Sequence, residues 1–152
     1  MMTRAAEART EVVGAELGAG IRPLSFLSAE TALTVTDPRS TSATTTSTLL
    51  PYQSQVVSYT RLEVEGRPRA KIDPVARAGV AYRIESARVA DQAGLVEIPA
   101  QGSLDADGSF SVYKDRVTFR LRAVNLLGQT RFDVVGYPLP GRAFYGSLEA
   151  QL

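Results

Sequence analysis

Residues 102–128 read GSLDADGSFSVYKDRVTFRLRAVNLLG, and the second half of this stretch decides the fold class. Over residues 117–123, VTFRLRA, apolar side chains alternate with polar ones. A period of two predicts a β-strand with one buried face and one face in water. Residues 125–128 end in glycine and predict a turn, and the alternation resumes over residues 129–135. Residues 117–135 therefore predict a β-hairpin.

The same type of pattern recurs over much of the chain. Further short strands are predicted at residues 56–65, 79–86, 95–98 (with Leu104 beyond) and 109–113. About seven short strands, separated by turn residues at intervals of about ten residues, are typical of a β-sandwich. We therefore expect an all-β sandwich.

The matched alternation of the strands predicts one buried core. Its residues are Val80, Tyr82, Ile84, Phe110, Val112, Phe119, Leu121, Phe132 and Val134. Arg120 and Arg122 then lie on the outward face of their strand, beside the charged residues of 129–135. Because a one-residue slip moves every side chain to the other face, solvent exposure of Phe119 or Leu121 indicates a register that is wrong by one.

Residues 79–135 resemble the immunoglobulin-like (fibronectin-III-like) modules of bacterial and phage surface and virion proteins. The shared features are a Ser-Ala step after the second strand (Ser86-Ala87), a Val-x-Ile middle strand (Val96 and Ile98), and an aromatic strand that ends in Asn125 before a glycine. The resemblance implies an immunoglobulin-like sandwich of about seven strands. It also implies a binding or spacing role, and it carries no catalytic residues to transfer.

Two features depart from that family pattern. The family usually places a tryptophan in its core, whereas this chain has none, so Tyr82 or Ile84 takes that volume. The segment at residues 88–94 is also longer than usual, which indicates a remodelled loop.

Composition divides the chain into three units. These are an N-terminal arm or linker at residues 1–55, the sandwich at residues 56–137 and a C-terminal tail at residues 138–152. Within the arm, the helix formers of residues 3–17 predict a short helix. Residues 40–48, STSATTTST, form a polar run with two interpretations: a flexible linker, or an extended segment ordered against a neighbouring subunit.

Two short apolar patches, at residues 21–27 and 49–52, lie on either side of this polar run. Such patches cannot offset the entropy of ordering by themselves, so they predict anchor points on a partner surface. Together with the outward arginines they form the candidate interface. Its residues are Ile21, Leu24, Phe26, Leu27, Leu49, Leu50, Tyr52, Arg120 and Arg122.

The composition excludes several function classes. The 152 residues include no histidine and no cysteine, which excludes Ser-His-Asp catalysis, thiolate nucleophiles, disulfides and His/Cys zinc sites. With 17 basic and 16 acidic residues, the net charge of +1 does not favour a nucleic acid partner. No stretch approaches the ~18 apolar residues of a membrane span, and the N-terminus lacks the apolar segment of a signal peptide, so no membrane partner is expected.

Asp105 and Asp107 raise the alternative of a calcium site, because alternate carboxylates can converge on a hard cation. Arg116 occupies the position at which an EF-hand loop requires its bidentate glutamate, so this register does not fit. The Asp-x-Asp-Gly pattern is also common in turns. A turn at residues 105–108 is the favoured interpretation, and no cofactor or metal is predicted.

Two functional hypotheses follow. In the first, the chain is a non-enzymatic structural protein of a symmetric particle, anchored by its arm to other protein subunits, including copies of itself. The resemblance implies a phage virion, assembled in the host cytoplasm, with the chain as a capsid-decorating or tail-associated protein. In the second, it is a secreted or cell-surface immunoglobulin-like module that binds protein or carbohydrate.

Overall fold

The computed structural model describes residues 9–41 and 48–151, and this part of the chain is all-β, without a helix. Its strands are β1 (Arg9–Leu24), β2 (Leu27–Thr41), β3 (Val56–Gly66), β4 (Val75–Glu85), β5 (Arg88–Val89), β6 (Glu97–Ile98), β7 (Gln101–Val112), β8 (Val117–Val124), β9 (Phe132–Val134), β10 (Tyr137–Pro138) and β11 (Ala143–Ala150).

The seven long strands form one antiparallel sheet. Their order is β1-β2-β3-β4-β7-β8-β11, so each long strand pairs with the next one along the chain. The four short strands form two separate ladders, β5 with β6 and β9 with β10. Antiparallel neighbours that follow each other in sequence need only short connections, and the turn from β7 to β8 is made by three residues with positive φ, Tyr113, Lys114 and Asp115.

The predicted helix at residues 3–17 is wrong where it can be compared, because residues 9–17 lie in β1. Residues 3–8 fall outside the described part of the chain. The alanines and glutamates of this segment are good helix formers, but Gly14, Gly18 and Gly20 disfavour a helix. Between these glycines the apolar residues alternate, and the segment pairs with β2 along nearly its whole length.

The predicted hairpin at residues 117–135 is also wrong. β8 lies between β7 and β11, whereas β9 pairs only with β10. Asn125 directs the chain away from the sheet: it has φ of 51°. Its side-chain amide donates to the Gln129 carbonyl at 2.9 Å. The predicted turn at residues 105–108 is likewise wrong, since these residues lie inside β7.

The predicted boundaries at residues 55 and 137 do not separate the sheet from other structure. β2 pairs with β3 from Leu27 to Val35, and β11 pairs with β8 along its full length. The segments predicted to be an arm and a tail therefore supply both edges of the sheet. Residues 42–47 of the Ser/Thr run fall outside the described residues, so its two interpretations stay open.

One group of buried side chains lies at the end of the sheet where the β4–β7 and β8–β11 connections meet. We call this region the end cap, residues 86–100 and 125–132. Ile98 is almost completely buried there, and the Arg88 guanidinium donates to Glu85 at 2.9 Å and to the Phe132 carbonyl at 2.6 Å.

Candidate interaction surface

The register of the large sheet collects apolar side chains on one side. Directly paired residues of antiparallel strands share a face, so the pairing from β1 to β11 defines that face without ambiguity. We call it the apolar face; it comprises residues 15, 17, 19 and 21 of β1, 27, 29, 31, 33 and 35 of β2, 56, 58, 60, 62 and 64 of β3, 76, 78, 80, 82 and 84 of β4, 102, 104, 106, 108, 110 and 112 of β7, 117, 119, 121 and 123 of β8, and 144, 146, 148 and 150 of β11. None of these residues is charged, but beyond Ala15 and Val35 the same side of the β1–β2 hairpin continues into Glu11, Asp37 and Arg39.

The apolar face is open to solvent. At its centre Val80 exposes 45% of its surface, and towards its edges Leu17 exposes 71% and Leu148 72%. Phe119 and Leu121, in β8, expose 44% and 54%. A monomeric soluble protein rarely leaves an apolar patch of more than a few hundred Å² uncovered. The described chain therefore lacks the layer that such a sheet face needs.

The opposite side of the sheet, which we call the charged face, is covered by ion pairs, some within one strand and some between strands. Its pairs are Arg61 with Asp107 (2.6 Å) and Glu63 (2.9 Å), Arg77 with Glu65 (2.9 Å), Arg83 with Glu85 (2.9 Å), Arg120 with Glu149 (2.6 Å) and Arg122 with Asp105 (3.8 Å). Long paired side chains shield their neighbours, so residues of β3 on this face are more buried than those on the apolar face. The charged face is thus the side suited to water.

Arg61 makes the best-defined of these ion pairs. Its guanidinium reaches from β3 across Gly79 of β4 to Asp107 of β7, donating from Nη1 to Oδ1 at 2.6 Å and from Nη2 to Oδ2 at 2.9 Å. A methyl group on Gly79 would lie 2.5 Å from Nη2 of Arg61, so the glycine is what permits this bridge. The hydrogen bond from Arg61 holds the pKa of Asp107 below its ordinary value.

Gly79→Ala is expected to displace the Arg61 guanidinium and to raise the pKa of Asp107 towards its ordinary value of about 3.9. The folded pKa of Asp107 lies below its unfolded pKa, so its contribution to stability is present above about pH 4 and is lost as pH falls further. The stability of the variant should therefore fall less as pH is lowered. At pH 7 its free energy of unfolding should be lower than that of the natural chain by about 1 kcal/mol or less. An NMR titration of Asp107 and unfolding at pH 7 and pH 3 measure both effects.

The matched control is Gly66→Ala, since no atom lies within 4 Å of a methyl group at Gly66. It should leave the pKa of Asp107 unchanged. An equal pKa rise in both variants, or no rise with Gly79→Ala, would contradict the bridge.

The predicted core residues share a face but do not form a buried core. Seven of them lie on the apolar face, namely Val80, Tyr82, Ile84, Phe110, Val112, Phe119 and Leu121, and all but the half-buried Val112 are exposed. Phe132 is half-buried and Val134 exposed in β9, which is not a strand of the large sheet. The reason is that the strands expected to form two layers are hydrogen-bonded neighbours in one layer.

Solvent exposure of Phe119 or Leu121 was expected to indicate a register that is wrong by one. Both residues are exposed, but the register of β8 is not shifted. Arg120 and Arg122 lie on the opposite, charged face, where they pair with Glu149 and Asp105. The side chains of β8 therefore lie on the predicted sides of the sheet. The expectation that exposure of Phe119 and Leu121 indicates a wrong register is itself wrong.

The predicted interface residues are not brought together on one surface. Ile21 and Leu27 lie on the apolar face, with Leu24 and Phe26 exposed around the β1–β2 turn. Leu49 and Leu50 are half-buried beside β2, where the Leu50 amide donates to the Pro38 carbonyl at 3.0 Å.

The remaining three predicted interface residues lie elsewhere. Tyr52 is exposed and its amide donates to the Val89 carbonyl at 2.7 Å. Arg120 and Arg122 lie on the charged face, so they cannot share a flat contact with Ile21.

Sequence reasoning missed the contribution of both edge strands to the apolar face. Leu17 of β1 and Phe144 and Leu148 of β11 are among its most exposed members. The signal was present, because GAELGAGI at residues 14–21 and FYGSLEA at residues 144–150 both alternate with a period of two.

The carboxylates that suggested a calcium site are engaged by the protein itself. Asp107 binds Arg61, while Oδ1 of Asp105 accepts hydrogen bonds from the Ser103 hydroxyl at 2.8 Å and the Asn125 amide at 3.0 Å. Within residues 9–41 and 48–151 no group of three or more acidic residues is arranged to hold a metal ion.

Comparison with protein-family models, with curated proteins and with solved structures gave no match. Over the described residues, the structure contains no helix of the length and apolar character needed to cross a membrane.

Proposed function

We propose that this chain is a non-enzymatic structural subunit that functions within a symmetric assembly of protein chains. The observation that carries the proposal is the apolar face, which spans all seven long strands and is open in the single chain. Burial of apolar surface is the main force that drives folding and association, so a face of this kind is stable in water only when another layer covers it.

The total exposed area supports the same conclusion. The chain exposes 11102 Å². A compact monomer of 16.3 kDa exposes about 7,500 Å², so the excess is roughly half as much again. Obligate interfaces bury about 2,000–5,000 Å² in total. An excess of this size is expected of a subunit that completes its core by association.

The resemblance of residues 79–135 to immunoglobulin-like modules enters the proposal in a changed form. In a single-chain immunoglobulin-like sandwich both sheets belong to one chain. Here we propose that the second layer of the sandwich comes from another chain. The proposed particle is a phage virion, in which the chain is a capsid-decorating or tail-associated protein; the support for this finer assignment is the sequence resemblance alone.

The anchoring role assigned to residues 1–55 also takes a more specific form. β1 is a 16-residue edge strand that is exposed along its whole length. Its outer backbone groups are free to pair with a strand of a neighbouring subunit, as edge strands do when they are not blocked. In the proposed assembly the β1–β2 hairpin therefore makes subunit contacts in addition to those of the apolar face.

Sedimentation velocity of the full-length chain over a wide concentration range tests the proposal. We expect a species of defined stoichiometry that persists at micromolar concentration, with little binding of a dye that reports exposed apolar surface. A monomer at all concentrations would contradict the proposal, because the apolar face would then remain open in water.

A further inference from the structure

We infer that the partner covering the apolar face is the same face of a second copy of this chain, related by a two-fold axis that passes beside Val80. This inference rests on the proposed function and specifies its partner and its geometry. It depends on the chemistry of the two faces, the area of the sheet and the position of Val80 within it.

The chemistry of the two faces selects the partner. The charged face carries at least six arginine–carboxylate contacts, and stacking an apolar face on it would remove these charges from water without new partners. An apolar face covers another apolar face without this penalty, and the large sheet offers one such face. Two copies that pack apolar face against apolar face can therefore cover both of these faces. Stacking the apolar face of one copy on the charged face of the next cannot do so without burying the ion pairs.

The apolar face carries four hydroxyl groups, on Thr31, Ser58, Thr60 and Tyr82, and two of these do not oppose its burial. The hydroxyl groups of Thr31 and Thr60 are 3.1 Å apart and hydrogen-bonded, and Thr31 also lies 3.2 Å from the Tyr59 carbonyl, to which it can donate. Polar groups that are paired within the chain cost little to bury. Thr31 and Thr60 are thus compatible with a dry contact.

The area of the sheet matches what an obligate pair needs. Seven strands at about 4.8 Å spacing give a width of about 29 Å, and strands of about eleven residues give a length of about 37 Å. Each face therefore covers roughly 1,000 Å², and a full face-to-face contact buries about 2,000 Å² or more, within the range of obligate homodimers.

Symmetry fixes which residues oppose each other. In an isologous contact between two identical faces, the two-fold axis lies in the plane midway between the sheets. β4 is the fourth of seven strands and Val80 is its middle residue, paired with Leu62 and Ala106 on either side. Full mutual coverage places the axis at this centre, so Val80 of one copy opposes Val80 of the other.

Edge pairing through β1 or β11 does not replace this contact. Both edges can extend the sheet, but an extended sheet still exposes its whole apolar face. Edge contacts therefore add to the face-to-face pair in a larger particle and leave the pair itself unchanged.

Cross-linking of single cysteines tests the inference, since the natural chain has no cysteine. Packed sheets lie about 10 Å apart, too far for a disulfide between opposed backbones but within reach of a short bis-maleimide. Val80→Cys should give a covalent dimer, and Ala81→Cys, on the charged face of the same strand, should give at least ~tenfold less. Ala106→Cys, next to Val80 on β7, serves as the second variant if Val80→Cys fails to fold.

Sedimentation of the same samples distinguishes a failure of the two-fold contact from a failure of the proposed structural role. Efficient cross-linking of Val80→Cys, or of Ala106→Cys if Val80→Cys fails to fold, with little cross-linking of Ala81→Cys, supports the two-fold contact. An assembled protein that cross-links no better at the apolar face than at Ala81 overturns the two-fold contact but leaves the structural role intact. A monomer overturns both.

Discussion

Val80→Asp is expected to prevent assembly of this protein. Val80 lies at the centre of the apolar face, and in the assembled state an aspartate there would place an unpaired carboxylate in an apolar contact. The cost of a buried unpaired charge is several kcal/mol, and in a two-fold pair each copy contributes one. Association should weaken by at least ~1,000-fold, equivalent to about 4 kcal/mol, as measured by sedimentation.

Ala81→Asp is the matched control for this prediction. Ala81 lies on the charged face, directly paired with Arg61 and near Arg83 on its own strand, so a carboxylate there meets cations and water. Its assembly should resemble that of the unmodified chain. Val80 exposes 45% of its surface in the single chain, so an aspartate there remains in contact with water. Val80→Asp should therefore keep its strand content, as measured by circular dichroism. Equal association of Val80→Asp and the natural chain would contradict the role of the apolar face.

Ile98→Ala is expected to have the largest effect on the fold of the single chain. Ile98 is 2% exposed in the end cap, where β6 pairs with β5. Removal of a fully buried isoleucine side chain loses its transfer free energy and leaves a cavity, which together cost about 2–5 kcal/mol. Denaturant unfolding at one fixed protein concentration measures this loss, since association itself shifts the apparent stability.

Leu95→Ala tests whether this effect is specific to burial. Leu95 belongs to the same connection and exposes 85% of its surface. Its truncation should change the free energy of unfolding by about 0.5 kcal/mol or less. If the two variants lose the same stability, the end cap is not a packed unit and the description of Ile98 is wrong.

The sequence predicted strand positions and facing well where alternation was regular. β8 is one residue longer at its end than the alternation of residues 117–123, and the strand predicted at residues 56–65 is β3, also one residue longer at its end. Within β4, Val80, Tyr82 and Ile84 were assigned to one face, as observed. A period of two depends only on the backbone geometry of a strand, so it can be read locally.

The number of layers could not be predicted in this way. Alternation at Phe119 indicates that one side of β8 avoids water, but it does not indicate whether the covering layer belongs to the same chain. A sandwich and a single sheet that pairs with another copy require the same pattern in each strand. The order of strands decides between them, and this order depends on long-range hydrogen bonds that leave no local signal.

The edge strand β1 was mistaken for a helix because two local signals conflict there. Glu11, Ala15 and Glu16 favour a helix by propensity, whereas the glycines and the alternation of residues 14–21 favour a strand. Pairing with β2 resolves the conflict, since tertiary context overrides propensity. The apolar face was underestimated for the same reason, because its first strand had been assigned elsewhere.

The reactivity of single thiols in the full-length protein tests the central claim most directly. In the single chain Ala78, on the apolar face of β4, is exposed, and Ala81, on the charged face of the same strand, is half-buried. No residue of 9–41 or 48–151 covers Ala78, and in the proposed assembly a second chain reverses this order. We predict that Ala78→Cys reacts with a maleimide at least ~tenfold more slowly than Ala81→Cys, because a second layer about 10 Å away excludes the reagent. Ala78→Cys reacting as fast as Ala81→Cys, or faster, would contradict the account.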